Sequence, residues 1–153
     1  MGFEECLKNG EVGEHIAWNL LSKNKNIATV IDMRDSTWGR EQDVDFMVIA
    51  TNKDTRFVEV KTDFKAHETG NIAYELKTSG NAGCFYKTAA NWVLYYVPYA
   101  KVVYWIDVRR MREHIQARSY SVVRMGDYAE GYLIPIDDLV SDKVIYHISR
   151  DVK

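Results

Sequence analysis

Between residues 11 and 25, Val12, Ile16, Ala17, Leu20 and Leu21 recur at helical spacing while Asn19 and Ser22 fall elsewhere, which predicts an amphipathic helix. Three short β-rich runs follow at 27–33, 45–50 and 56–62. The last two are joined by the turn-like Thr51-Asn52-Lys53-Asp54, so they read as a meander of strands. A polar segment with a short strand at 72–76 leads to an apolar run at 86–97, predicted as a second helix, and then to a buried strand at 101–106. Asp107 is placed to cap a basic helix over 108–117. Further strands are predicted at 121–125, 132–136 and 144–148, with a helical turn near 137–139. The order helix, three strands, helix, strand (αβββαβ) with a mixed tail predicts an α/β fold: a central mixed β-sheet flanked by helices.

Length and composition narrow the possibilities. The 153 residues suit a single domain, and no repeat or linker divides them. Twenty Lys+Arg against 22 Asp+Glu leave a net charge of −2, so any nucleic-acid binding must come from a local patch rather than bulk charge. Nineteen aromatic residues, with abundant Val, Ile and Leu, can bury a core. Cys6 and Cys84 stand far apart with no second Cys or His at ligand spacing, which supports neither a disulfide framework nor a thiolate zinc site. Glu4, Glu5 and Glu11 stand where a signal peptide needs a basic stretch and then an apolar run. The most apolar window, 89–106, is broken by Pro98 and carries Lys101, so no membrane span is expected. A reducing, cytoplasmic setting is the expectation.

The candidate chemistry lies in three segments. In Phe57-Val58-Glu59-Val60-Lys61, strand alternation puts Glu59 and Lys61 on one face with Phe57, and burying such charges is costly unless something such as a metal ion compensates them. Asp45 leads the apolar strand Phe46-Met47-Val48-Ile49. Asp43 shares its face, and Asp45 is preferred because the apolar run starts directly after it. On the first helix Glu14 borders the apolar arc, whereas Glu11 points farther toward solvent. Two strand carboxylates suit Mg²⁺ or Mn²⁺, which take oxygen ligands and leave positions for water and phosphate, and a nearby Lys can stabilise developing charge. Asp63-Phe64-Lys65 and Glu75-Leu76-Lys77 repeat the Glu/Asp-x-Lys pattern, but the first lies just past the strand end and the second lacks an Asp-led strand before it, so both read as ordinary solvated charges.

In this order, over roughly residues 10–105, the chain resembles the PD-(D/E)xK nuclease superfamily, which includes restriction endonucleases, Holliday junction resolvases and phage-type exonucleases. The proline of the motif is replaced here by Val44. The resemblance implies a restriction-endonuclease-like core and a divalent-metal-dependent DNA nuclease. It assigns metal binding to Asp45 and Glu59, assistance to Lys61, and completion of the site to Glu14. The rival reading is a non-catalytic nucleic-acid-binding or protein-binding module that keeps the nuclease fold.

For DNA contact the candidates are Lys87, with helix N-terminal amides around residues 86–88, and the basic helix carrying Arg109, Arg110 and Arg112. Of that helix, Arg110 and Arg112 are the preferred phosphate contacts, a solvated face being the other reading. Trp92, Tyr95 and Tyr96 read as core packing rather than a base-stacking platform. The sequence leaves room for a homodimer.

Overall fold

The computed structural model describes residues 3–153. Among them α1 (Phe3–Lys23) leads into β1 (Ile27–Asp32), α2 (Thr37–Gln42), β2 (Phe46–Ala50) and β3 (Thr55–Thr62). Then come α3 (Ala66–Thr69), β4 (Asn71–Thr78), β5 (Asn81–Ala82), α4 (Cys84–Lys87), β6 (Trp92–Val97) and β7 (Val102–Asp107). The chain closes with α5 (Val108–Ala117), β8 (Val123–Met125), β9 (Ala129–Pro135), α6 (Ile136–Ser141) and β10 (Ile145–Arg150). No helix among the described residues is long and apolar enough to cross a membrane.

The central sheet has the order β1-β2-β3-β6-β7-β10 and is mixed, because β3 and β6 run parallel while the other neighbours are antiparallel. A second, antiparallel sheet has the order β5-β4-β9-β8. The fold is therefore the expected α/β arrangement of a central mixed sheet flanked by helices, with an additional small sheet.

Two cores follow from strand alternation. On one face of the central sheet Phe46, Val48, Val58, Leu94 and Val103 pack with Ile16, Ala17 and Leu21 of α1. On the other face Val93, Tyr95, Val97 and Ile106 pack with Ile72, Tyr74 and Ile134 of the second sheet and with Met111 of α5. Each fully buried aliphatic or aromatic side chain contributes about 1.5–3 kcal/mol. Gly13 is what lets α1 settle this closely, since a Cβ there would collide with the Thr62 hydroxyl at the end of β3.

Two predicted elements change. The expected helix at 86–97 is a single turn, Cys84–Lys87, followed by the strand β6. All of Val93 to Val97 are buried, so both faces of β6 are apolar, and periodicity cannot separate such a strand from a buried helix. The strict αβββαβ order is consequently interrupted: the one-turn α4 and β6 stand where a full second helix was expected, while β4 answers the strand expected at 72–76. The basic helix is as predicted, with the Asp107 carboxylate accepting from the Arg110 amide at 2.9 Å. The first helix starts earlier than the apolar pattern indicated, at Phe3, and the helical turn near residue 137 extends to six residues. The unpredicted α2 has no apolar period. It is set by Ser36, whose hydroxyl accepts from the Gly39 amide at 2.9 Å.

Candidate active site

Strand register brings the two candidate carboxylates together. Phe46 pairs with Val58, so Asp45, one residue before, lies beside Glu59, and the Asp45 amide donates to the Val58 carbonyl at 2.9 Å. The Asp45 carboxylate accepts from the Val60 amide at 2.8 Å, which fixes its orientation against β3. Because Glu59 and Lys61 pair with Val93 and Tyr95 of β6, both project toward the second sheet. The carboxylates line a hollow of about 250 Å³ with Arg34, Arg40 and Asp43. Gly39 forms part of its wall, and a Cβ there would collide with the Met33 carbonyl.

This pair is only partly compensated. Burial pushes Asp45 up to about 6, with the Glu14 charge adding to the shift and the Val60 amide opposing it. Burial and then the charges of Asp45 and Asp43 push Glu59 up to about 10, and Lys61 offsets this only in part. At neutral pH the pair therefore retains a proton. The Cys84 thiol donates weakly to Glu59 at 3.9 Å, and burial keeps this thiol protonated. Cys84 is free, and the Cys6 side chain lies outside the described residues.

Lys61 is held from the second sheet. Its ammonium lies 3.6 Å from Glu75 of β4, whose carboxylate also accepts from the Thr78 hydroxyl at 2.7 Å. Burial works against the Lys61 charge, but the acidic groups around it, the Glu75 carboxylate among them, outweigh it and the net shift is upward. Glu75 is thus not the ordinary solvated charge its sequence suggested. Asp63 differs in the same way: its carboxylate accepts from the Tyr95 hydroxyl and from the amides of Lys65 (2.7 Å) and Ala66 (3.0 Å).

The other expected residues are distributed unevenly. Glu14 is close enough to bear on Asp45, but it is ion-paired with Arg34 at 2.8 Å, and Arg34 also grips Asp32 at 2.6 Å. Glu11 is exposed. Asp43 ends α2 in a left-handed conformation and pairs with Lys87 at 3.3 Å. Lys87 ends the one-turn α4 rather than opening a long helix, so the expected bank of N-terminal amides is absent there. Arg112 donates to the carbonyls of Phe85 (3.1 Å) and Thr88 (2.8 Å), and Arg110 donates to that of Lys143 (3.3 Å). Sequence reasoning missed Arg34, Arg40 and Glu75. Arg34 and Arg40 carry no local motif, Glu75 sits in a Glu-x-Lys run without an Asp-led strand before it, and all three reach the site through tertiary contacts.

The donor set suits a hard divalent cation, since two adjacent carboxylates raised by burial and mutual repulsion are the groups such an ion relieves. They supply two ligands, and no three His, Cys, Asp or Glu side chains converge as a metal cage among the described residues.

The fold is similar to that of a bacterial homing endonuclease, I-Ssp6803I. The likeness covers 89% of this chain and 81% of that one, at 14% sequence identity and a TM-score of 0.52. No family model and no curated protein matches the chain. At this identity the likeness is one of fold, and function rests on the site.

Proposed function

We propose that this protein is a divalent-metal-dependent deoxyribonuclease that hydrolyses phosphodiester bonds at the Asp45–Glu59 pair. The observation that carries the reading is the juxtaposition of two buried, only partly compensated carboxyl groups on adjacent strands with Lys61 on the same face. The fold likeness to a homing endonuclease and the resemblance of the Asp-led strand and Glu-Val-Lys strand to PD-(D/E)xK nucleases support it.

Asp45 and Glu59 would hold Mg²⁺ or Mn²⁺, with Glu14 a third ligand once freed from Arg34. When bound, such an ion supplies positive charge for the scissile phosphate and lowers the pKa of a water molecule. Binding of such an ion would require Glu59 to release its proton to solvent. The Val60 amide keeps Asp45 oriented throughout. Lys61, positively charged and held by Glu75, directs its ammonium toward the attacking water or the charge developing on phosphate. Arg34 and Arg40 border the same hollow, where they can meet flanking phosphates.

The test is incubation with linear, circular, flapped and four-way-junction DNAs in Mg²⁺ or Mn²⁺. Cleavage that disappears in Asp45→Asn and Glu59→Gln, with the circular dichroism spectrum unchanged, is the expected result. Cleavage at wild-type rate by both variants overturns the assignment, and if Asp43→Asn alone is inactive the ligand is Asp43.

A further inference from the structure

Arg34 joins the first helix to the carboxylate site through contacts of two kinds. Its Nε and Nη2 donate to the two oxygens of Asp32, at 2.9 and 2.6 Å, and the Asp32 carboxylate also accepts from the Arg34 amide at 3.0 Å. This is a two-pronged grip at the end of β1, the geometry a planar guanidinium favours with a carboxylate. Nη1 alone reaches across to Glu14 of α1, at 2.8 Å. The guanidinium lies over the Phe46 ring, 5.3 Å from its centre, and the neighbouring Met33 amide donates to the Asp45 carbonyl at 2.8 Å. Arg34 is thereby fixed beside Asp45, and it lines the same hollow as Asp45 and Glu59.

Glu14 stands differently. Its charge bears on Asp45, yet its side chain is not part of the lining of the hollow; the carboxylate is turned to Arg34 instead. The two side chains are 37% and 26% exposed, and an ion pair so open to solvent is weak. Releasing Glu14 leaves both prongs on Asp32 in place, so the guanidinium stays at the hollow with Nη1 free for another anion. A phosphate oxygen suits that position, since a guanidinium donates as well to phosphate as to carboxylate.

We propose that Arg34 is a latch that couples DNA binding to cation binding: a backbone phosphate takes Nη1 from Glu14, the guanidinium stays anchored on Asp32, and the freed Glu14 carboxylate turns to the cation site at Asp45 and Glu59. The inference rests on the deoxyribonuclease reading. One anion replaces another on Arg34, and a negative charge is released where a cation needs it. The coupling is reciprocal, so DNA raises cation affinity by the same factor as the cation raises DNA affinity. Arg40 lines the same hollow but makes no ion pair among the described residues, and has no carboxylate to release.

The experiment has two readouts. Calorimetry with Ca²⁺ on the DNA-free protein compares wild type, Arg34→Ala, Glu14→Gln and the double variant. Arg34→Ala is expected to bind Ca²⁺ about tenfold more tightly than wild type, because Glu14 is released without DNA. In the Glu14→Gln background the same substitution removes only a nearby positive charge and should gain roughly threefold at most. Anisotropy of a labelled duplex, in EDTA and in Ca²⁺, then gives the factor by which the cation tightens DNA binding. That factor should fall about tenfold in Arg34→Ala and stay at the wild-type value in Arg40→Ala. Should Arg34→Ala melt early, Arg34→Gln, which keeps the stem over Phe46, replaces it with the same expectations. No gain in Ca²⁺ affinity, equal gains in both backgrounds, or a Ca²⁺ factor that survives loss of Arg34 each overturns the latch. The nuclease reading still stands if Glu59→Gln abolishes Ca²⁺ binding and Mn²⁺-dependent cleavage. A wild type that binds neither Ca²⁺ nor the duplex overturns both.

Discussion

Two polar clusters in this molecule are built on opposite principles. At the junction of α5 and α6, His114 is 4% exposed; its Nδ1 lies 2.8 Å from Asp142 and its Nε2 2.6 Å from the Tyr120 hydroxyl. Asp142 is further paired with Arg118 at 2.6 Å, and the Tyr120 ring stacks on His114 and packs on Tyr132. Both ring nitrogens have partners, so the cluster is closed. Asp45 and Glu59 face each other instead, with only a partial offset from Lys61. A closed buried network fixes packing, whereas a pair of facing acids short of countercharge is tolerated where a ligand completes it.

The sharpest way to break this contrast is to substitute one member of each cluster. Glu59→Gln should lower cleavage by about a thousandfold or more while leaving the melting temperature of the metal-free protein equal or higher at pH 8, because a destabilised acid is removed. His114→Ala should do the reverse, costing about 2–3 kcal/mol in denaturant titrations and leaving kcat per folded molecule unchanged. If Glu59→Gln is destabilising and active, or His114→Ala stable and inactive, the roles of the clusters are exchanged.

Titration separates the clusters next. The folded-state values of Asp45 and Glu59, about 6 and about 10, lie above the ordinary carboxyl range of about 4. The folded state thus binds more protons than the unfolded state between these limits. The pair's contribution to stability is fully present below about pH 4 and is lost as pH rises through 6 toward 10. A divalent cation replaces the proton, so Mg²⁺ or Mn²⁺ affinity should rise about tenfold per pH unit above pH 6 where one proton is released. Calorimetry in buffers of different ionisation enthalpy measures that release, and binding that is flat with pH would remove the pair as the cation site.

The same contrast explains what was legible in the sequence. Asp45 and the Glu59-Val60-Lys61 run could be read because a strand's alternation is local and a charged residue on an apolar strand breaks its pattern. The Asp107 cap of α5 was legible for the same reason. Trp92–Val97 was not, because a strand covered on both faces loses its alternation, and misreading it removed the parallel β3–β6 pairing from view. Glu75, Arg34 and Arg40 acquire meaning only from neighbours distant in sequence. The second sheet that carries Glu75 was visible only as isolated short strands.

A smaller effect sharpens the boundary between the site and its support. Glu75 lies 3.6 Å from the Lys61 ammonium, so under the nuclease reading Glu75→Gln should lower kcat by roughly tenfold with KM and cation affinity unchanged, in the range typical of orienting partners. Glu75→Asp, keeping the charge, should recover part of the loss. A rise in KM without change in kcat would make Glu75 a determinant of binding instead.

The smallest expected effect tests whether every unsatisfied polar group signals function. The Thr62 hydroxyl is buried with no hydrogen-bond partner among the described residues, pressed beneath Gly13 of α1, one residue beyond Lys61. Unlike Asp45 and Glu59 it pairs with Tyr96 of β6 on the α1 side of the sheet, away from the face that carries the carboxylates. Its lack of a partner then follows from the close helix approach, and Val, of the same shape, should fill the space without a stranded hydroxyl. Thr62→Val is expected to raise stability by about 1 kcal/mol and leave cleavage unchanged. A fall in cleavage with no gain in melting temperature would place this hydroxyl among the groups that serve the site, and would extend the functional region through the sheet to the α1 face.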